Sequence, residues 1–238
     1  MRKKIVAWIK RQVKQSGAKG VVIGLSGGLD SCVVAALAGQ ALGRKRVLAL
    51  ILPCHSQKQD LKDARLTGRK FAIPTKTIDL SGIYDTLIKT LPPAGQRAKT
   101  NLKPRLRMLV LYYFANKLNY LVCGTSNKSE LLTGYFTKYG DGAADIVPIA
   151  GLFKRQVRAL AVEIGIPRQI VTKAPTAGLW PGQTDEAEMG ISYLELDEIL
   201  GRLGDKKRQA APHAAVDKVI RMHKGSEHKR QKPRMYCP

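Results

Sequence analysis

The chain has 238 residues, 44% of them hydrophobic, and carries a formal charge of +23. That is enough apolar material to bury a substantial core, in one large α/β domain or in two small ones. No stretch is long and apolar enough to cross a membrane, and the opening MRKKIVAWIKRQVKQ is broken by charge throughout, which excludes a secretory signal.

The positive charge favours a polyanionic partner, nucleic acid or nucleotide, or an unusually basic habitat. It says nothing about catalysis. Four cysteines (Cys32, Cys54, Cys123, Cys237) are spread without paired metal-ligand spacing, so a reduced, cytoplasmic protein is expected.

Residues 3–17 predict an amphipathic helix with Ile5, Trp8, Ile9 and Val13 on one face. Residues 20–25 read as a short buried strand and 30–42 as an alanine-rich helix. RVLALIL (46–52) is a second strand ended by Pro53, and 58–69 a polar helix. IPTKTIDL (73–80) is a third strand, 82–90 a short helix, and LPPAGQRAKT (91–100) a loop. Residues 101–117 form a longer helix and NYLVCGT (119–125) a fourth strand. The alternation predicts a Rossmann-like, mostly parallel sheet with helices on both faces. After residue 133 the pattern changes. YFTKYGDGAAD (135–145) and PTAGLWPGQTDE (175–186) are loops, 154–164, 193–203 and 213–224 are helices, and the tail from about residue 225 is basic and irregular.

Between the first strand and the next helix stands LSGGLDS (25–31). Glycines permit close backbone approach, and the free N–H groups of a helix start face an anion, so the turn reads as a phosphate site. Ser26 and Ser31 add hydroxyls. Walker A fails because no lysine follows the glycines, and GxGxxG is absent. GLSGG does match the hydrolase elbow GxSxG, but the histidines after His55 (His213, His223, His228) all lie near the end of the chain. Asp30 is the oddity, since an acid beside phosphate repels it unless a cation intervenes. It reads either as a ligand for Mg²⁺ or as a cap of the helix.

SGGLDS resembles the SGGxDS loop of the ATP pyrophosphatase superfamily, which cleaves ATP between its α and β phosphates. GTSNKSELLTGYFTKYGDGAADIVPIAGLFKRQV (124–157) and PTAGLWPGQTDEAEMGISY (175–193) resemble the NAD synthetase signature. NLKPRLRM (101–108) and EHKRQKP (227–233) extend the resemblance over nearly the whole chain. It implies one domain over residues 1–238, with an adenine nucleotide alpha hydrolase-like fold. It further implies ATP-dependent amidation of deamido-NAD by ammonia through an acyl adenylate, with AMP and pyrophosphate released.

Residue by residue, the resemblance implies that Gly24, Leu25, Ser26, Gly27, Gly28, Asp30, Ser31, Leu52, Thr125, Lys154 and Thr176 bind ATP. Asp30, Lys154 and Thr176 carry the catalytic charge and hydroxyl, and Asp30 and Glu130 hold Mg²⁺. Asn101, Arg105, Tyr135, Phe136, Lys138, Asp141, Asp145, His228 and Lys229 hold deamido-NAD. Without the resemblance, Glu130 can also be read as an exposed residue in a first helical turn, and Thr176 as the cap of a turn. Lys154 opens a helix, where a cation is unfavourable without an anion nearby. One departure is visible: the family segment reads like NIxAR, and this chain has Pro104 ahead of Arg105.

The segment ahead of Ser26 is too short for the amidase domain of glutamine-dependent members, so free ammonia is the expected donor, unless a separate amidase partner delivers it. A homodimer is expected, with residues 101–117 and 154–164 as candidate faces. Two other functions stay open: a tRNA-modifying, thiolating ATP pyrophosphatase, favoured by the charge, and a non-catalytic ATP-binding module.

Overall fold

The computed structural model describes residues 1–180, 182–202 and 214–236. Leu203 and His213, at the ends of two expected helices, Pro181 in the second loop, and Cys237 lie outside them.

The fold begins with α1 (Arg2–Gln15), β1 (Gly20–Gly24), α2 (Leu29–Leu42), a 3-10 turn at Arg44–Arg46, and β2 (Val47–Ile51). α3 (Lys58–Lys70), β3 (Thr75–Thr77), α4 (Ser81–Thr90), α5 (Gln96–Thr100), α6 (Leu102–Leu118) and β4 (Tyr120–Val122) follow. α7 (Lys128–Thr133), α8 (Lys154–Ile164), α9 (Arg168–Val171), α10 (Asp185–Met189), α11 (Tyr193–Arg202), α12 (Ala214–Gly225) and α13 (Glu227–Arg230) complete it. The four strands form the expected parallel sheet, in the order β3-β2-β1-β4.

Strand side chains alternate between the two faces. Val21, Ile23, Val47, Ala49 and Ile51 point to one face, where α1, α2 and α8 supply Ile9, Val33, Leu37, Val157 and Leu160. Val22, Leu50, Leu52 and Val122 point to the other, against Leu80 and Phe114. α2 is apolar nearly all round, and almost all of it is buried, as such a helix must be. A third cluster joins Phe153, Met189, Tyr193, Leu196 and Val219, packing α10, α11 and α12 together. Among the described residues no helix is long and apolar enough to cross a membrane.

Several expectations are corrected. The second half of the 91–100 loop is α5, because Pro92, Pro93 and Gly95 break only the first half, and the Thr100 hydroxyl closes the turn on Gln96 O at 3.0 Å. The third strand shrinks to Thr75–Thr77, since Pro74 has no N–H to offer the ladder. The fourth ends at Val122, and Cys123 then bridges to Ile146. The tail is not wholly irregular. α13 is tied down by Arg230, which donates to the carbonyls of Leu131 (3.1 Å), Leu132 (3.2 Å) and His223 (2.6 Å). Basic composition hides such carbonyl partners.

Pro104 is the third residue of α6. First-turn N–H groups have no intrahelical partner, so proline there sacrifices no bond.

Candidate active site

β2 lies on one side of β1 and β4 on the other, so the chain's winding reverses between β1 and β4. The carboxyl ends of strands open into a crevice at such a switch point. A cavity of about 950 Å³ opens there, at the upper end of the range for small-molecule sites. Gly24, Leu25, Ser26, Gly28, Asp30, Ser31, Leu50 and Leu52 line it from β1, α2 and β2.

The turn into α2 is held by its own hydroxyls. Ser31 Oγ donates to Gly28 O (2.9 Å) and accepts from Ser26 N (3.2 Å), while the two hydroxyls stand 3.0 Å apart. Ser26 therefore has serine, not histidine, as its hydroxyl partner, which removes the hydrolase elbow. Gly28, the N-cap of α2, offers no side chain, and no side chain caps the helix, so its first N–H groups remain for an anion. Gly27 does not line the cavity. Its φ is +83° and a Cβ would lie 2.2 Å from Asp60 O, so its glycine is required by α3 packed behind the loop.

Asp30 does not cap α2. Its carboxylate accepts from Lys154 Nζ and, at 3.2 Å, from Asn127 Nδ2. Glu130 comes from the end of β4 by way of α7. One of its oxygens closes a capping box on Asn127 N (3.2 Å), and the other accepts from Lys154 Nζ at 3.1 Å. The cap and the site are thus the same residue. Burial pushes the Glu130 carboxyl up to about 8, Lys154 opposing and Asp30 reinforcing the shift. Burial would lower the Lys154 ammonium, but Asp30 and Glu130 outweigh it and hold it above its ordinary value. The partners that Lys154 needs at a helix start are therefore two carboxyl groups, from the helices that follow β1 and β4.

Residues 173–180 and 182–188 cover the cavity. Lys173 pairs with Asp60 and with Asp63 Oδ2 (3.0 Å). Thr176 lines the cavity and accepts from Gly178 N at 3.0 Å, so it caps a turn and faces the site together. Thr125, Asn101, Arg105, Tyr135, Phe136, Lys138, Asp141, His228 and Lys229 all line the same cavity. Asn101 Oδ1 accepts from the Thr137 hydroxyl (2.8 Å), and Arg105 donates to Lys138 O (3.3 Å). Lys229 donates to Gly134 O and Phe136 O at 2.7 and 2.8 Å, clamping the 134–138 loop. Asp145 stands apart from the lining. It accepts from Val122 N (2.7 Å) and the Tyr112 hydroxyl (3.2 Å), closing the sheet edge.

Five residues escape sequence reading. Asp185 and Tyr193 line or back the cavity, the tyrosine ring lying 5.0 Å below the Lys154 ammonium. Asp197, wholly buried on α11, accepts from the Ser129 hydroxyl and from Arg155 N (2.9 Å), joining α7 to α8. Arg107 donates to Leu52 O (3.0 Å), and Lys103 donates to Leu179 O of the covering segment (2.7 Å). Arg107 and Lys103 had a signal, standing in NLKPRLRM beside Arg105. Cys32 is a core residue, its thiol pushed up to about 11 by burial, and Cys54 and Cys123 are raised for the same reason.

A donor set of two carboxylates suits a hard divalent cation such as Mg²⁺, which takes one or two from a protein and completes its shell with phosphate and water oxygens. Among the described residues no group of three or more acidic, histidine or cysteine side chains is arranged for a metal.

The family model for NAD synthase matches residues 1–233. The NH(3)-dependent NAD(+) synthetase of Archaeoglobus fulgidus is 47% identical over 232 residues, covering 97% of this chain and 93% of that one. Among solved structures, an NMN synthetase from Francisella tularensis superposes with a TM-score of 0.90 at 39% identity, covering 99% and 96% of the two chains. The NH3-dependent NAD synthetase of Campylobacter jejuni, in complex with nitrate, gives 0.86 at 32% identity, covering 99% and 97%.

Proposed function

The chain belongs to the NAD synthase family, and from that premise we propose that Asp30, Glu130 and Lys154 form the centre of its chemistry. The chain catalyses the ATP-dependent amidation of deamido-NAD to NAD with ammonia, and the readings as a tRNA-modifying enzyme or a passive ATP-binding module fall away. The nicotinate carboxylate attacks the α-phosphorus of ATP, pyrophosphate leaves, and ammonia displaces AMP from the acyl adenylate. No protein nucleophile is needed, which agrees with the protonated, buried thiols.

The observation that carries the site assignment is the meeting of Asp30 and Glu130 on one buried lysine, beside an uncapped helix start. The α2 N–H groups, Ser26, Ser31 and Lys154 would hold the ATP phosphates, with Thr176 reaching them from the covering segment. Leu52 and Thr125 flank the adenosine. Asn101, Arg105, Tyr135, Phe136, Lys138, Asp141, His228 and Lys229 would hold the dinucleotide. Asp145 serves that pocket indirectly, by fixing the strand behind it. The divalent metal of the reaction is assigned as Mg²⁺ on Asp30 and Glu130. When bound, it neutralises phosphate charge.

Residues 1–238 act as one catalytic unit, because Asp30 and Lys154 come from opposite halves of the chain. A homodimer is the proposed assembly. α6 leaves Leu109 and Tyr113 each 60% exposed, one helical turn apart. The inner face of α8 is spent on α2 through Val157, Leu160 and Ala161. A separate amidase as ammonia source fits the same chemistry.

Purified chain with Mg-ATP, deamido-NAD and ammonium chloride is expected to yield equimolar AMP and NAD. Glutamine freed of ammonia supports little turnover. ATP binding without AMP formation in folded protein refutes the reading. The likeness to an NMN synthetase favours one second reading, that the mononucleotide is also amidated. Deamido-NMN in place of deamido-NAD measures it directly.

A further inference from the structure

Asp185 has work left over. It is 4% exposed and lines the cavity that holds Glu130 and Lys154. Its Oδ2 accepts from the Tyr193 hydroxyl at 3.0 Å. Its Oδ1 has no hydrogen-bond partner among the described residues, because the Tyr135 hydroxyl beside this carboxylate gives its hydrogen to Glu188. Buried polar groups are almost always satisfied, and a buried carboxylate oxygen without a donor is costly. Local structure does not account for it. The first turn of α10 is capped by the Thr184 hydroxyl through Ala187 N (3.3 Å), and Asp185 N donates to Pro175 O (3.0 Å). The nearby Lys154 hydrogen-bonds Asp30 and Glu130 instead. Three carboxyl groups therefore stand near one ammonium, and Asp185 is the one it does not hydrogen-bond.

A second carboxylate leads outward. Glu188, one turn along α10, is exposed and also lines the cavity. It accepts from the Tyr135 hydroxyl and from Gln183 Nε2, both at 2.7 Å. Burial raises the Tyr135 hydroxyl far above its ordinary value, and the carboxylates of Asp185 and Glu188 both add to the rise. The phenol therefore stands in the field of the outer and the inner acid together.

We propose that Asp185, approached past Glu188, is the recognition site for ammonium as it comes to the reaction centre. The proposal rests on the ammonia-dependent reading above. At neutral pH nearly all of that substrate is a monovalent cation with four N–H donors. One donor meets Asp185 Oδ1, and the hydroxyl oxygens of Tyr135 and Tyr193, both held toward Asp185, offer acceptors for the others. A divalent metal fits less well, because it seeks six or more oxygen ligands and here finds one free carboxylate oxygen beside two phenol hydroxyls.

The test uses Asp185→Asn, which keeps the shape and the bond to Tyr193, and the exposed Glu188→Gln. Asp185→Asn is expected to raise the KM for ammonium about tenfold or more, with the KM values for ATP and deamido-NAD unchanged. Glu188→Gln raises it about threefold. Thallium(I), an ammonium stand-in, competes with ammonium in the parent but not in Asp185→Asn, and gives an anomalous peak on Asp185 Oδ1 in crystals. ATP–pyrophosphate exchange, measured with deamido-NAD and no ammonium, is unchanged in both variants. An unaltered ammonium KM in a folded, active Asp185→Asn overturns the proposal, as does a water alone at Oδ1 in the thallium crystals. Loss of exchange in Asp185→Asn overturns it too, by placing Asp185 in the adenylation centre. Absence of exchange in the parent instead removes the functional reading, and the proposal with it.

Discussion

Replacing Lys154 by methionine keeps the side chain's length and deletes its charge. Lys154 is 4% exposed and is the shared partner of Asp30 and Glu130. Without it Asp30 retains only the Asn127 amide at 3.2 Å. Breaking a buried ion pair from one side costs roughly 3–5 kcal/mol. Two features lower that here: Glu130, already pushed up to about 8 by burial, takes a proton rather than face Asp30 as a second anion, and both carboxylates keep slight contact with solvent. The expected loss is about 2–3 kcal/mol of stability, a fall of roughly 5–10 °C in Tm for a chain of this size. Catalysis should suffer more, because in the proposed mechanism the lysine is the preorganised charge facing the departing pyrophosphate. Removing one such donor costs about 10²–10³ in rate. Lys154→Arg should not restore it, since a planar guanidinium cannot occupy the space of a compact ammonium. The assay is ATP–pyrophosphate exchange, at a temperature well below the melting of every variant. Exchange within about fivefold of the parent, in folded Lys154→Met, refutes the assignment.

Gly27→Ala sets a Cβ 2.2 Å from Asp60 O at a φ of +83°; a loss of about 2–4 kcal/mol in urea unfolding is expected, together with weaker ATP binding by calorimetry. Ser26→Ala should depress ATP–pyrophosphate exchange while deamido-NAD binding stays near the parent value. Equal loss of both counts against its place on the phosphates. The Asp63 carboxyl would be raised by burial, but the amides of Gln169 and Gln59 and the Lys173 ammonium outweigh this and hold it below its ordinary value. A native value below the unfolded one gives stability that is present above about pH 4 and lost as pH falls through the native value. Asp63→Asn therefore lowers the urea midpoint at pH 7, and loses less than the parent between about pH 4.5 and 3. An identical acid slope in both proteins removes Asp63 from the explanation.

The sheet and the phosphate turn are legible in the sequence because their causes are local. A short apolar run, glycines and hydroxyls, then an apolar helix leave few alternatives for residues 20–42. Glu130 is legible for a similar reason, since it follows a strand and opens a helix. α5 is hidden because Pro92, Pro93 and Gly95 dominate their window, while the one-turn helix after them rests on a few backbone bonds to Gly95 and Arg97 and on the Thr100 hydroxyl. Asp197 is hidden more deeply. In YLELDEILGRL it reads as one more charge on an amphipathic helix, yet it is wholly buried against the starts of α7 and α8. Asp185 lies in a stretch of Pro, Gly and acids, and only the meeting of α10 with Lys154 shows that it faces the chemistry. Asp145 shows a different contrast. Its motif suggests a ligand, and its hydrogen bonds go to a strand edge.

The bond from Lys103 to the Leu179 carbonyl has a consequence for traffic through the cavity. Leu179 is gripped at both polar ends, its N–H by Gln183 at 2.8 Å and its carbonyl by Lys103 at 2.7 Å. A hydrogen bond from a charged donor is worth about 1.5–3 kcal/mol. Losing it on opening tilts the closed-to-open ratio by a factor of roughly ten to a hundred. A cover so weighted shelters a water-labile adenylate well, and it also detains whatever has been made beneath it. NAD, AMP and pyrophosphate then wait on the same bond, so product release is expected to slow with it, through a lysine that never meets a reacting atom.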